Sequence, residues 1–349
     1  MRKVFTFKII YYVLFAGVIF VGLLLRILIF DKIGGDYITY KEALKTFHAG
    51  GNPYIYTVSS FNMINIEHGY AYFPTLLYIQ YFIWLLSNYS VVIISTVILW
   101  KITTLIAELL ILCLILKECK SKVENFKIYF LRVFIAVVWF LNPYLLARYD
   151  YSLYDPIFLA FTLLAIYYVD KKTFLSGLFF ATAVSLKTIP IILIPLMFIE
   201  VYKRRRDYRD VLVFISACVL FFMLISIPFT TSSWDFISYL KGAFFVHGDR
   251  NLQGRPFLTY TSHVFSGLGI NFYQNVYTKF YSTSSLVFAF LIPIFLFYFK
   301  KISNKYIWVT LSFTIYLLLT PVLSRTHVLW VLPFFLIVAL HNYDVRKKF

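Results

Sequence analysis

Few residues in this chain are equipped for chemistry, and most of them fall between apolar stretches. Asp36 follows two glycines in GGDYITYKEALKTFH. A carboxylate there either caps a helix, whose N-terminal dipole favours negative charge, or acts as a general base beside a lipid phase. Asp150 and Asp155 lie in ARYDYSLYDP behind Arg148. Asp155 directly precedes Pro156, which marks a helix start, and its carboxylate also suits sugar hydroxyls or the orientation of Arg148. Asp150 is a second partner for that arginine. Lys187, in SLKTIP ahead of Pro190, is either a point charge for phosphate or a snorkelling side chain. Arg250 and Arg255 carry the forked geometry that suits phosphate, and His247 is close by. Arg325 and His327, between Pro321 and Trp330, complete the set of candidate anion-binding residues.

The elements that must position these residues are membrane helices. The 349 residues are 61% hydrophobic, 21% aromatic and 14% charged, with a mean hydropathy of +0.78. A water-soluble domain averages roughly 45–50% apolar and about 25% charged, so this composition requires a bilayer. It excludes an attached soluble catalytic domain, a disordered chain and a nucleic-acid binder, despite a net charge of +17. Cys113, Cys119 and Cys218 are scattered, with neither disulfide nor zinc spacing. The apolar run after MRKVFTFK is long for a signal core and lacks a cleavage site, so it is expected to be a retained first helix.

Basic clusters at Arg2–Lys8, Lys117–Lys127, Lys171–Lys172, Lys203–Arg209, Lys300–Lys305 and Arg346–Lys348 separate the apolar stretches. The positive-inside tendency asks for all of them, and both termini, on the cytoplasmic side. Ten spans meet that demand, near 9–30, 91–116, 128–146, 156–169, 174–188, 189–202, 210–228, 284–299, 306–322 and 328–341. The condition is that 70–87 forms a re-entrant or interfacial segment instead of crossing. The fold class expected is thus an all-α polytopic membrane protein, a single integral domain over 1–349. A first outer loop covers 31–90, a second 142–156 and a third 229–283. Inside the first, Tyr37, Tyr40, Ala43, Leu44 and Phe47 recur at helical spacing and Gly50-Gly51 ends the run, which predicts an outer amphipathic helix. Lys101 and Glu108, seven residues apart within one span, suggest an intramembrane partner or a structural pair.

The order Asp36-Tyr37, Tyr40, Ala43, GGNPYIY and YAYFPTLL resembles the first lumenal loop of C-type glycosyltransferases. It is most similar to the transferase that adds the first mannose to glycosylphosphatidylinositol (GPI) and to related prokaryotic polyprenyl-phosphate mannosyltransferases. Asn142-Pro143 with Asp155, SLKTIP with Pro195, the His247–Arg255 stretch and LSRTHVLWVLPFF follow the same order. The resemblance implies transfer of a hexose, with mannose favoured, from a dolichyl or polyprenyl phosphate sugar to a glycolipid or glycan acceptor by inverting displacement. Asp36 would be the base. Lys187, His247, Arg250, Arg255, Arg325 and His327 would hold the donor phosphate, while Tyr37, Tyr54, Tyr72 and Asp155 would contact sugar or acceptor. Gly34 replaces the first acid of that family's Asp-x-Asp, so no metal site and no cofactor is assigned. A divalent cation held by one carboxylate and phosphate oxygens is the alternative.

Two other functions fit the same composition. A transporter or flippase of a lipid-linked sugar would show repeated halves, and no repeat is evident. A non-catalytic partner subunit would tolerate the missing aspartate. The expected location is the plasma membrane in a prokaryote or the endoplasmic reticulum in a eukaryote, with membrane lipids, the lipid-phosphate donor and its acceptor as partners, and no nucleic acid.

Overall fold

The computed structural model describes residues 2–30, 32–60, 69–89, 95–118, 126–147, 154–246, 253–254, 257, 267, 274–299, 304–320 and 322–345. These residues are almost entirely helical. The chain opens with α1 (Arg2–Ile27), α2 (Gly35–His48), α3 (Pro53–Ser60), α4 (Thr75–Tyr89) and α5 (Thr96–Glu118). It continues through α6 (Phe126–Phe140), α7 (Pro143–Ala147), α8 (Asp155–Tyr168), α9 (Thr173–Leu186), α10 (Ile194–Arg205), α11 (Tyr208–Ser226) and α12 (Ser233–Leu240). The last helices are α13 (Gln274–Tyr298), α14 (Lys305–Leu319) and α15 (Leu332–Val345). Gln253–Gly254 (β1) pairs in parallel with Val322–Leu323 (β2), just before the turn that leads into α15.

The protein is an all-helical, polytopic membrane protein. Among the described residues four helical stretches, Lys8–Ile27, Thr96–Glu118, Phe126–Ala147 and Tyr208–Phe229, are long and apolar enough to cross a bilayer alone. Among the shorter apolar helices, Asp155–Tyr168 packs on α5, Thr173–Leu186 on α11, Leu332–His341 meets α5 and α6, and Thr283–Tyr298 packs on Lys305–Leu319. The segment expected to stop short of crossing contains α4, of 15 residues.

Helices α8 and α9 form an antiparallel hairpin. Its connection is the turn at residues 169–172, where the Lys171 and Lys172 amides both donate to Tyr168 O. Ser176 Oγ donates to Ala165 O across the hairpin. Helix α11 lies against α9 at Gly177, where an added Cβ would sit 2.7 Å from Phe214 O and 2.8 Å from Ala217 Cβ. Glycine is required there because only a missing side chain permits that approach, as at other close helix crossings in membranes. Cys218 Sγ donates to Gly177 O at 3.3 Å in the same contact.

The first helix is anchored by a charge. Arg26 Nε donates to Glu108 Oε2 of α5 at 2.8 Å, and both side chains are fully buried. Arg26 Nη1 donates to Gly22 O and Phe140 O, each at 2.9 Å, and Trp139 Nε1 donates to Glu108 O at 3.0 Å. Of the two readings of Lys101 and Glu108, the structure shows the intramembrane partner: Glu108 takes Arg26. Lys101 Nζ instead donates to Ile29 O at 2.7 Å and to Lys32 O at 2.5 Å, receiving the chain as it leaves α1. A buried intramembrane charge takes whichever partner helix packing supplies, and spacing along one helix cannot reveal it.

Helix α2 forms where the aromatic spacing predicts, with Tyr37, Tyr40, Ala43 and Leu44 buried. Gly50, at φ +79°, follows its end. One detail differs: the N-cap is Gly34, and Asp36 lies inside the first turn. Asp36 therefore sits where the dipole favours a carboxylate without being the capping residue. A tyrosine layer packs beneath this helix. Tyr54 Oη donates to Tyr72 O at 2.7 Å, Tyr70 Oη to Phe73 O at 2.8 Å, and Tyr78 Oη to Ile225 O at 2.6 Å. Burial pushes the Tyr54 and Tyr70 phenols well above their usual value, so both remain neutral donors that staple loop backbone.

Candidate functional site

The open end of the α8–α9 hairpin is closed by an ion pair. Asp155 begins α8 with Pro156 in the first turn, where proline's missing N–H costs nothing. Lys187 is the C-cap of α9, extended at φ −153°, ψ 129°. The chain then passes through a 3-10 turn at Ile189–Leu193 before α10. That break lets the lysine turn back on the hairpin. Lys187 Nζ donates to Asp155 Oδ1 at 2.7 Å, with the lysine side chain 13% and the aspartate 2% exposed.

The second carboxylate oxygen is also satisfied: Trp330 Nε1 donates to Asp155 Oδ2 at 3.1 Å. Trp330 ends a 3-10 turn at Arg325–Trp330 that follows β2. The Lys187 ammonium lies 4.3 Å from the Trp330 ring centroid, 5.4 Å from Phe158 and 5.6 Å from Tyr154. A cation over aromatic faces is electrostatically favoured, most strongly over tryptophan. The His327 ring centroid is 4.1 Å from that of Trp330. Ser324 N donates to His327 Nδ1 at 3.3 Å, which leaves Nε2 to carry the proton of a neutral imidazole.

From this cluster a wall of rings leads into the tyrosine layer. Tyr154 packs edge-on against Tyr72 at 5.4 Å and Tyr40 at 5.7 Å, and Tyr40 meets Tyr70 at 6.2 Å. Tyr54 continues the wall against Tyr70 and Tyr239. On its other side Asn52 Nδ2 donates to Asp235 Oδ1 at 3.0 Å, joining the turn before α3 to α12.

Of the residues singled out by sequence, the structure brings Asp155, Lys187 and His327 together and places Tyr72 one ring away. Tyr37 and Tyr54 are buried in the neighbouring layer. Arg325 begins the turn that carries His327 and Trp330. His247, Arg250 and Arg255 lie outside the described residues, as do Arg148 and Asp150. Asp155 pairs with Lys187, and the reading that it orients Arg148 falls on a residue outside the described ones. Trp330 and Tyr154 were not singled out as the aspartate's and lysine's immediate neighbours. The sequence signal for Tyr154 was its position beside Asp155.

Chemically, Asp155 is a poor proton acceptor, because both oxygens are occupied and a cation neutralises it. The cluster is better suited to recognition: a partly exposed ammonium, an imidazole and a run of phenol and indole rings meet at the mouth of a helix hairpin. Such a surface favours an anionic, hydroxyl-bearing ligand.

A family model described as GPI transamidase subunit PIG-U matches residues 60–251. No curated protein matches the chain. The family match corrects the expected activity. A transamidase exchanges amides, so the reading as a hexosyltransferase or mannosyltransferase using a dolichyl or polyprenyl phosphate sugar, with Asp36 as base in an inverting displacement, is overturned. The matched segment contains Tyr72, Asp155, Lys187, His247 and Arg250, whereas Asp36, Tyr37, Tyr54, Arg255, Arg325 and His327 lie outside it.

Proposed function

The chain belongs to the PIG-U family of GPI transamidase subunits, and on that premise we propose that it is a non-catalytic, membrane-embedded subunit of a GPI transamidase in the endoplasmic reticulum membrane. The family match over 60–251 carries this reading.

In this role the Asp155–Lys187–Trp330 cluster, with His327, Arg325 and the Tyr72–Tyr154 rings, receives the phosphate and sugar portion of the GPI glycolipid. His247, Arg250, Arg255, Tyr37, Tyr54 and Asp36 belong to loops and helices of the same outward side. The ten-span topology, with 70–87 re-entrant and both termini cytosolic, places this cluster toward the lumen. Reporter fusions at residues 88 and 120 test it, and a lumenal residue 120 would reverse it.

The functional test is complementation with partner capture. In cells lacking the endogenous subunit, the full chain should restore surface display of a GPI-anchored reporter and co-purify with the other transamidase subunits. Failure of both, together with mannosyl transfer by the purified chain, would overturn the proposal.

A further inference from the structure

At the end of the helices opposite the Asp155–Lys187 pair, a second constellation forms that the proposed function does not use. Lys117, in the last turn of α5, and Lys171, in the α8–α9 turn, both direct their ammonium groups onto Tyr167. Lys117 Nζ lies 4.9 Å and Lys171 Nζ 3.2 Å from that ring centroid. Both lysines are exposed, while the ring between them is buried. The two cations are thus at most about 8 Å apart, a separation at which like charges repel unless an anion lies between them.

The carboxylates nearby have other partners. Glu118 Oε2 faces His341 Nε2 at 3.7 Å, and Asp170 Oδ1 faces Lys305 Nζ at 3.3 Å. Lys305 Nζ also donates to Ile166 O at 2.9 Å, bringing a third cation to the same end from α14. Lys172 is exposed next to Lys171. The result is a cluster with surplus positive charge around a buried tyrosine at the helix ends.

We propose that Lys117 and Lys171 bind the phosphate of an anionic phospholipid headgroup from the leaflet this end faces. Three observations converge on a lipid. The two cations come from elements far apart in sequence, so the fold assembles the pair. The ring beneath them offers an apolar floor against which acyl-glycerol carbons pack. Basic pockets between helices at the cytosolic surface are where anionic headgroups are held.

Native mass spectrometry of the full chain in detergent, with phosphatidylinositol or phosphatidylcholine added, tests the site. The wild type should retain phosphatidylinositol in preference to phosphatidylcholine. The variant K117A/K171A should lose that retention roughly 30-fold, since each lysine near the surface contributes about one factor of five to six. The variant K117R/K171R should keep it, which separates loss of the site from loss of the fold. Equal retention by wild type and K117A/K171A, or loss in both double variants alike, would overturn the proposal. So would displacement of the lipid by equimolar inorganic phosphate, which would mark a site for free phosphate.

Discussion

Arg26 and Glu108 form a salt bridge across 82 residues of sequence, with Nη2 and Oε2 2.6 Å apart and neither side chain exposed. The Arg26 guanidinium carbon also lies 4.0 Å from the Phe140 ring centroid. An arginine at this depth is tolerated only with such a set of partners. Arg26→Ala would leave Glu108 buried and uncompensated. A loss of about 3–5 kcal/mol is expected, visible as a lowered melting temperature in fluorescence-detected size-exclusion chromatography. Replacing both residues with leucine should restore most of the stability, because an apolar pair carries no desolvation cost.

Gly177 fixes the spacing of α9 and α11. Gly177→Val should cost about 1–3 kcal/mol through overpacking against Phe214 O and Ala217. The same thermal assay reads it, and Gly17→Val, where nothing lies within 4 Å, is the matched control.

The Asp155–Lys187 pair should behave non-additively. Lys187→Ala leaves a carboxylate 2% exposed beside aromatic rings without its cation, and surface display of a GPI-anchored reporter should fall at least tenfold relative to wild type, by about one unit of log activity. Asp155→Asn together with Lys187→Met should retain more reporter display than Lys187→Ala alone. Equal loss in the single and double variants would argue against a coupled pair.

Asp235 gives a pH dependence with a defined sign. Its carboxylate accepts from Ser232 Oγ at 2.6 Å, Thr231 Oγ1 at 3.1 Å and Asn52 Nδ2 at 3.0 Å. The Ser232 hydroxyl, then Asn52, hold its pKa below the ordinary 3.8. A depressed folded value means the stabilisation is fully present above the unfolded pKa and is lost as pH falls through the folded one. Hydrogen exchange in α3 and α12 should therefore quicken below about pH 4, and Asp235→Asn should flatten that dependence.

Local signals account for much of what the chain declares about itself. The spacing of Tyr37, Tyr40, Ala43 and Leu44 with Gly50 delimits α2, because burial of one face is a local pattern. Pro156 and Pro190 mark the start of α8 and the break after α9, because proline's geometry acts on its immediate neighbours. Partnerships across helices are another matter. Glu108 pairs with Arg26, 82 residues away, and Asp155 with Lys187, 32 residues away, because contacts between spans depend on how the bundle closes. The functional misassignment has the same origin. Carboxylates, cations and tyrosines between membrane helices fit a sugar transferase and a transamidase subunit equally well. Asp36 alone does not distinguish them.

The α8–α9 hairpin has 14 residues in each arm, about 21 Å of helix, beside a hydrocarbon layer of roughly 30 Å. Clasped at one end by Asp155 and Lys187 and at the other by the turn under Lys171, it is shorter than the bilayer around it. Its residues are buried mainly against neighbouring helices, so the mismatch is absorbed within the protein, and Lys187 caps a helix end set below the level that a full-length span would reach.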